Sequence, residues 1–84
     1  MGNKMRILYA EDYELDAELT KILLEEHEFT VDIAADGKKA WDAYNRQKPD
    51  ILLLDLNIPR KDGIEVTRLI RQKDPHTHII IYLS

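Results

Sequence analysis

The sequence predicts an α/β fold with a parallel β-sheet, and two observations support this prediction. Segments of strand length alternate with segments of helical periodicity along the 84 residues, in the order β-α-β-α-β-α-β. Such alternation is typical of parallel sheets with right-handed crossover helices. Two strand segments, "ILLL" at 51–54 and "HIIIYL" at 78–83, are apolar on both faces, as the buried strands of parallel sheets are. The length fits one small domain, so we treat 1–84 as a single domain.

The first strand and the first helix are predicted from short-range patterns. The segment "MRILYA" at 5–10 predicts a short strand. The segment after it has apolar residues at positions i, i+4, i+7 and i+8, which is the stripe of an amphipathic helix. These residues are Leu15, Leu19, Ile22 and Leu23. Glu11, Asp12 and Glu14 are expected in the first turn of this helix, where the helix dipole favours acidic side chains.

The middle of the chain predicts an edge strand and a second helix. Residues 30–34 alternate between polar and apolar side chains, which indicates a half-exposed strand at the edge of the sheet. The dipeptide "DG" at 36–37 indicates a turn or a helix start. Apolar side chains at 40–44 fall at helical spacing, and Pro49 ends this helix.

The last third predicts a buried strand, a short helix and a final strand. The run 51–54 shows no alternation, so we expect a central strand with helices on both sides. A second "DG" at 62–63 predicts a turn, and residues 64–73 have the apolar spacing of a short helix. Pro75 ends that helix, and the strand at 78–83 follows.

Composition and charge limit the classes of function. Charged residues make up 33% of the chain and hydrophobic residues 44%, which fits a globular domain rather than a disordered one. The net charge of −4 disfavours a direct nucleic-acid interface in this segment, because phosphate contacts need a basic face. No apolar run is long enough to cross a bilayer, so no membrane contact is expected. The absence of cysteine excludes disulfides and thiolate zinc sites and is compatible with a cytoplasmic location, which we expect.

Polar residues that follow the strands are expected to meet at one edge of the sheet. The first strand leads into Glu11 and Asp12, the third into Asp55, and the fourth into Ser84. Because the carboxyl ends of parallel strands share one edge, the three carboxylates form one pocket if the first and third strands are neighbours. Three close carboxylates repel one another unless a cation joins them, and Mg²⁺ prefers oxygen ligands. An aspartate beside Mg²⁺ can be the nucleophile that accepts a phosphoryl group.

Each of these residues also has a simpler structural interpretation. Glu11 and Asp12 could be first-turn acids or a helix cap, and Asp55 could cap the loop that follows it. Gly63 could serve only a turn, and Ser84 could be a surface hydroxyl. Their shared position at one sheet edge favours the functional interpretation.

Three motifs carry a resemblance to a known family. They are "MRILYAED", "PDILLLDLNIPRKDGIEV" and "HIIIYLS", and they occur in this order. They resemble the first strand with its acidic pair, the phosphorylation strand with its loop, and the fourth strand of response-regulator receiver domains. These domains are the phospho-acceptor modules of two-component signalling. The resemblance covers 5–84 and implies a flavodoxin-like, doubly wound parallel sheet with strand order 2-1-3-4-5.

The resemblance implies roles at the matching positions. Asp55 would be the phosphorylated aspartate, and Ser84 would be the switch hydroxyl that contacts the phosphoryl group. The residues that would hold Mg²⁺ are Glu11, Asp12, Asp55 and, through its backbone carbonyl, Asn57. Pro59 and Gly63 would shape the loop behind the phosphorylation strand. The phosphoryl donor would be a phosphohistidine on a sensor histidine kinase or a phosphotransfer protein, and the chain itself would not be an enzyme beyond self-catalysed transfer and hydrolysis.

Compared with a complete receiver, residues 1–84 are expected to be a partial domain. They lack the fourth helix, the fifth strand with the lysine that contacts the phosphoryl group, and the fifth helix. Without a fifth strand, the segment 78–83 would be an exposed apolar sheet edge, which favours pairing with another chain. We therefore expect self-association through the fourth strand.

Two other functions remain open on the sequence. One is a chemically silent structural or oligomerising fragment of a receiver, because the switch lysine is missing. The other is a phosphatase of the haloacid dehalogenase type, which also places a nucleophilic aspartate after a strand. That class needs a second aspartate two residues further on as acid and base, and this chain has Asn57 there, which cannot transfer protons.

Overall fold

Four strands and three helices alternate along the chain in the computed structural model, which describes residues 4–56, 58 and 63–82. The strands are β1 (Arg6–Ala10), β2 (Thr30–Ala34), β3 (Ile51–Asp55) and β4 (His78–Tyr82). The helices are α1 (Glu14–Glu26), α2 (Gly37–Gln47) and α3 (Gly63–Lys73). The predicted order of elements is confirmed. Within the described residues, none of the helices is both long enough and apolar enough to span a membrane.

The strands form one parallel sheet in the order β2-β1-β3-β4. This order matches the first four strands of the expected doubly wound sheet, and it confirms that β2 lies at an edge. The central strands β1 and β3 pair so that Tyr9 is opposite Leu53 and Ala10 is opposite Leu54. The residues that follow these two strands therefore lie side by side at the carboxyl edge of the sheet.

The central strands carry apolar side chains on both faces because helices cover both sides of the sheet. On one face, Leu8 and Leu54 belong to a core that includes side chains of α2 and α3. On the other face, Ile7 and Tyr9 pack with Ala17 of α1. The absence of alternation in the segment 51–54 is thus explained by a three-layer arrangement of helix, sheet and helix.

Helix α1 forms as predicted, but its apolar stripe faces away from the sheet. The four stripe residues are between 53% and 59% exposed. The helix instead contacts the sheet through Ala17, which is 2% exposed, and through the partly buried Leu24. These two residues are two helical turns apart and lie on the side of the helix opposite to the stripe. The small side chain of Ala17 allows a close approach to the sheet, which explains why this face packs inward.

The acidic pair after β1 precedes α1 and does not form its first turn. The helix begins at Glu14 with Tyr13 as its N-cap residue, and its first-turn acids are Glu14 and Asp16. The backbone N–H of Glu11 donates to the carbonyl of Ala34 at 3.0 Å and so continues the pairing of β1 with β2. The expected first-turn position of Glu11 and Asp12 is therefore wrong, because the strand pairing extends past Ala10.

Helix α2 begins at the first "DG" dipeptide. Asp36 is the N-cap residue, and its side chain accepts a hydrogen bond from the backbone N–H of Lys39 at 2.8 Å. This contact satisfies one of the N–H groups that a helix start leaves without an intrahelical partner. Of the two predicted alternatives, a turn or a helix start, the structure therefore shows a helix start.

Gly63 is the first residue of α3 rather than part of a turn, so this helix begins one residue before the predicted start. Its φ angle is not positive, and conformational freedom does not explain the glycine. The position is buried, and a Cβ atom there would lie 2.8 Å from the Cα of Leu56 and 3.3 Å from the carbonyl oxygen of Asp55. Gly63 therefore allows α3 to pack directly against the end of β3.

Candidate functional site

Three carboxylates meet at the carboxyl edge of β1 and β3. Glu11 and Asp12 follow the last residue of β1, and Asp55 is the last residue of β3. Because Ala10 pairs with Leu54, Glu11 and Asp55 come next on two adjacent strands. One carboxylate oxygen from each of the three residues lies within 4.8 Å of the others. In the part of the chain that the structure describes, no other group of three metal-binding side chains converges in this way.

The acidic cluster is buried on one side and open on the other. Asp55 is 0% exposed and Glu11 is 5% exposed, whereas Asp12 is exposed. Two unit charges 4.8 Å apart repel by about 3.5 kcal/mol at an effective dielectric constant of about 20. Such a cluster therefore needs protons, hydrogen-bond donors or a cation to compensate its charge. The cluster faces solvent on the side of Asp12.

Hydrogen bonds from three residues hold the carboxylate of Glu11. The hydroxyl of Tyr82 donates to Oε1 at 2.6 Å, and the hydroxyl of Tyr9 lies 3.4 Å from the same oxygen. The backbone N–H of Tyr13 donates to Oε2 at 3.3 Å. Burial raises the pKa of Tyr82, and its hydrogen bond to Glu11 raises that pKa further, so this hydroxyl remains a donor at neutral pH.

Tyr9 and Tyr82 have no predicted role at this edge of the sheet. For Tyr9 a signal was available, because residues two apart on a strand project to the same face and Glu11 is two residues later. Tyr82 is opposite Asp55 in the register of β3 and β4. Its contact with Glu11 depends on how its side chain crosses β3, which no local pattern in the sequence indicates.

Hydrogen bonds and close packing hold the backbone around Asp55 in place. The carbonyl of Asp55 accepts a hydrogen bond from the N–H of Ile58 at 3.4 Å, and the N–H of Leu56 donates to the carbonyl of Tyr82 at 2.9 Å. Gly63 packs against the same segment and leaves no room for a Cβ atom. These contacts fix the position of the aspartate relative to β4 and α3.

Three of the predicted site residues lie outside the described residues. They are Asn57, Pro59 and Ser84. Their assigned roles as metal ligand, loop residue and switch hydroxyl stay predictions. The structure brings together the other three polar site residues, Glu11, Asp12 and Asp55, and it places Gly63 directly behind the last of them.

A family model described as the response regulator receiver domain matches residues 7–83. The chain belongs to the response-regulator receiver family. The resemblance seen in three sequence motifs is thereby confirmed, and so is the flavodoxin-like fold, which is incomplete here compared with a full receiver. Receivers are signalling modules of two-component systems, and the chain is expected to share that general role.

Similar proteins include a transcriptional regulator, a chemotaxis protein and a solved receiver domain. The transcriptional regulatory protein CseB of Streptomyces avermitilis is 36% identical over 100% of this chain, which covers 35% of that protein. The chemotaxis protein CheY of Halobacterium salinarum is 34% identical over 94% of this chain, which covers 66% of that protein. The solved receiver domain of the Francisella response regulator 1452 has a TM-score of 0.87 and 29% identity, with 93% of this chain and 64% of that one covered.

The receiver spans about a third of the length of several of the curated regulators it matches, with 30%, 35% and 34% of three of them covered. What those longer proteins do beyond the matched region is therefore not transferred to this chain.

Proposed function

We propose that this receiver accepts a phosphoryl group on Asp55 from a phosphohistidine, with Mg²⁺ held by the neighbouring carboxylates. The donor is a sensor histidine kinase or a phosphotransfer protein. The observation that carries the proposal is the convergence of Glu11, Asp12 and Asp55, whose oxygens lie within 4.8 Å of one another beside two strand ends. Membership of the receiver family supports the same assignment.

The donor set of the acidic cluster fits Mg²⁺. Glu11, Asp12 and Asp55 offer hard oxygen ligands, and Mg²⁺ selects oxygen and retains several water molecules. The exposure of Asp12 leaves space for those waters. The ion would offset the repulsion within the cluster and would stabilise negative charge on the transferring phosphoryl group. In the proposal, the backbone carbonyl of Asn57 is a further ligand.

The proposed chemical step joins a carboxylate oxygen of Asp55 to phosphorus. The P–O bond forms as the P–N bond of the phosphohistidine breaks, and the imidazole nitrogen leaves with the electron pair and is protonated by solvent. The product is an acyl phosphate on Asp55. Because Asp55 is 0% exposed, transfer requires a conformation in which this carboxylate is accessible. Ser84 is proposed as the hydroxyl that senses the product, and the chain acts as a phospho-acceptor rather than as an enzyme with its own turnover.

Intact-protein mass spectrometry tests this function. The chain is incubated with acetyl phosphate and Mg²⁺, and with acetyl phosphate and a chelator. We expect one phosphoryl group on the wild type with Mg²⁺ and none on Asp55→Asn, because an amide is a poor nucleophile. Asp42→Asn is the matched control, since Asp42 is exposed on α2 and pairs there with Lys38 at 3.1 Å.

The control variant should accept the phosphoryl group as the wild type does. Phosphorylation of Asp55→Asn at an aspartate would refute the assignment of the acceptor. Modification of the wild type that is independent of Mg²⁺ would refute the role of the metal.

We also propose that the 84-residue chain self-associates through β4. Among the described residues, β4 pairs only with β3, which leaves one row of its backbone groups without a strand partner. Ile80 and Ile81 on this strand are 53% and 44% exposed. Beside β4 lies an open groove of about 330 Å³ whose lining includes Leu56, Ile64 and Ile81. An apolar edge strand with unpaired backbone groups favours pairing with another chain.

The cytoplasmic location and the absence of a nucleic-acid interface stay predictions. The chemically silent fragment is the function that would remain if the mass measurement gave no phosphorylation. The phosphatase alternative is disfavoured by Asn57, which cannot transfer protons, and by membership of the receiver family.

A further inference from the structure

Two tyrosine hydroxyls converge on Glu11, a buried member of the acidic cluster. The 2.6 Å distance from the Tyr82 hydroxyl to Glu11 Oε1 is in the range of charge-assisted O–H···O⁻ bonds. The Tyr9 hydroxyl lies 3.1 Å from the Tyr82 hydroxyl and 3.4 Å from the same carboxylate oxygen. The three oxygens thus form a compact triangle on the α1 side of the sheet. We refer to Tyr9 and Tyr82 as the tyrosine pair.

Tyr82 reaches Glu11 across the intervening strand. Tyr82 is on β4, Glu11 follows β1, and β3 lies between them. Adjacent strands are about 4.8 Å apart, so the contact spans two strand spacings, or about 10 Å. The rings of the tyrosine pair support each other, with centroids 6.5 Å apart and an interplanar angle of 39°. The side chain of Tyr82 therefore links the outer strand directly to the acidic cluster.

The two carboxylate oxygens of Glu11 have different hydrogen-bond partners. Oε1 accepts hydrogen bonds from the tyrosine pair, whereas the partner of Oε2 among the described residues is the backbone N–H of Tyr13 at 3.3 Å. A carboxylate oxygen has two lone pairs, so Oε2 retains acceptor capacity in this arrangement. A glutamate side chain that is already ordered also loses less conformational freedom when it takes up a ligand.

We propose that Tyr82, supported by Tyr9, is a positioning residue for Mg²⁺ binding: it orients the carboxylate of Glu11 and thereby couples the end of β4 to the metal site. This inference rests on the proposed function, because it concerns the same ion. Residues that orient metal ligands through hydrogen bonds typically change metal affinity when they are replaced. The coupling also gives the outer strand a direct physical connection to the site at which the phosphoryl group would arrive.

The test is a Mn²⁺ titration of the 84-residue chain, read by the electron paramagnetic resonance signal of the free ion, with Mg²⁺ as competitor. Tyr82→Phe keeps the ring and removes the hydroxyl. We expect its dissociation constant for Mn²⁺ to rise about 10-fold. Tyr9→Phe should shift the constant in the same direction by a smaller factor, because its hydroxyl is farther from Glu11. Far-UV circular dichroism confirms that each variant is folded.

Tyr44→Phe is the matched control for the loss of a tyrosine hydroxyl. The Tyr44 side chain is buried, and its hydroxyl contacts Asp74 and Thr77 away from the acidic cluster. This variant should bind Mn²⁺ as the wild type does. Equal weakening by Tyr44→Phe and Tyr82→Phe would mean that any lost hydroxyl acts through general stability, and it would overturn the inference.

A double-mutant cycle with Glu11→Gln separates positioning from a purely structural role. If Tyr82 acts through the Glu11 carboxylate, Tyr82→Phe should cause no further loss of Mn²⁺ affinity once that carboxylate is an amide. The same fold-loss in both backgrounds would contradict the inference. If the wild type binds Mn²⁺ and Tyr82→Phe binds it equally well, the inference fails and the proposed function stands. If the wild type binds no divalent ion, the proposed metal role fails together with the inference.

Discussion

Replacing Gly63 by alanine should destabilise the fold, although alanine is the better helix former. The added Cβ would lie 2.8 Å from the Cα of Leu56 and 3.3 Å from the carbonyl oxygen of Asp55. A backbone atom cannot rotate out of the way, so α3 or the end of β3 must shift. Overpacking of this kind costs about 1–3 kcal/mol, whereas alanine gains at most about 1 kcal/mol in helix propensity over glycine. From a central overpacking cost of about 2 kcal/mol, less a gain of between 0 and about 1 kcal/mol, we expect a net loss of about 1–2 kcal/mol.

Urea unfolding followed by far-UV circular dichroism measures this loss. The free energy of unfolding is obtained by linear extrapolation for the wild type and for Gly63→Ala, each at two protein concentrations so that self-association is recognised. Leu56→Ala and the double variant complete the series. The Leu56 side chain contributes only the 3.0 Å contact through Cδ2, whereas the closest contact is to its Cα. Removing that side chain should therefore not rescue Gly63→Ala.

Two results would contradict the expected role of Gly63. An alanine variant as stable as the wild type would show that the end of β3 yields at little cost. A full rescue in the Leu56→Ala background would show that the flexible side chain, and not the backbone, limits the space at Gly63. The expected result would instead establish that this glycine serves close packing behind Asp55.

Two further predictions concern pH and association. The pKa of Asp74 is lowered to about 2, mainly because the Thr77 hydroxyl donates to its carboxylate, with the N–H of His76 as a further donor. A carboxyl group whose pKa is lower in the folded state than in the unfolded state stabilises the fold when it is ionised. This stabilisation is present above the unfolded pKa of about 4 and is lost as pH falls towards about 2. Urea titrations across this range should show a larger loss for the wild type than for Asp74→Asn, and equal losses would contradict the prediction. Ile80→Lys should lower the association of the chain in light scattering, because charge on an edge strand opposes pairing; a wild type that is already monomeric at micromolar concentration would exclude self-association.

Much of the fold was predictable because its signals are local. The alternation of element types and the segment 51–54, apolar on both faces, indicated a parallel sheet with helices on both sides, and the sheet order confirms it. The approach of Asp55 to Glu11 and Asp12 was predictable on the condition that the first and third strands are neighbours, which the resemblance implied and the strand order confirms. Parallel strands bring their carboxyl ends to one edge, so an acid after each of two neighbouring strands must lie near the other.

Local patterns were misleading where the distance between packed elements decides the structure. The periodicity of α1 showed where apolar residues cluster, but the helix packs through Ala17 and leaves the stripe exposed. At Gly63, the dipeptide signal pointed to a turn, whereas the actual requirement is the space between α3 and Leu56. Both outcomes depend on how closely a helix approaches the sheet, and the spacing of residues along the sequence does not indicate that distance.

The order of elements, the parallel sheet and the identity of the acids at its carboxyl edge follow from the amino-acid sequence, because periodicity and strand direction are sufficient for these. Which side chains hold those acids in place depends on the packing of the folded domain. Tyr82 and Glu11 are 71 residues apart in the chain, yet their side chains meet at 2.6 Å across an intervening strand. That contact depends on strand order, register and rotamer together, and each of these is set by the packing of the whole domain.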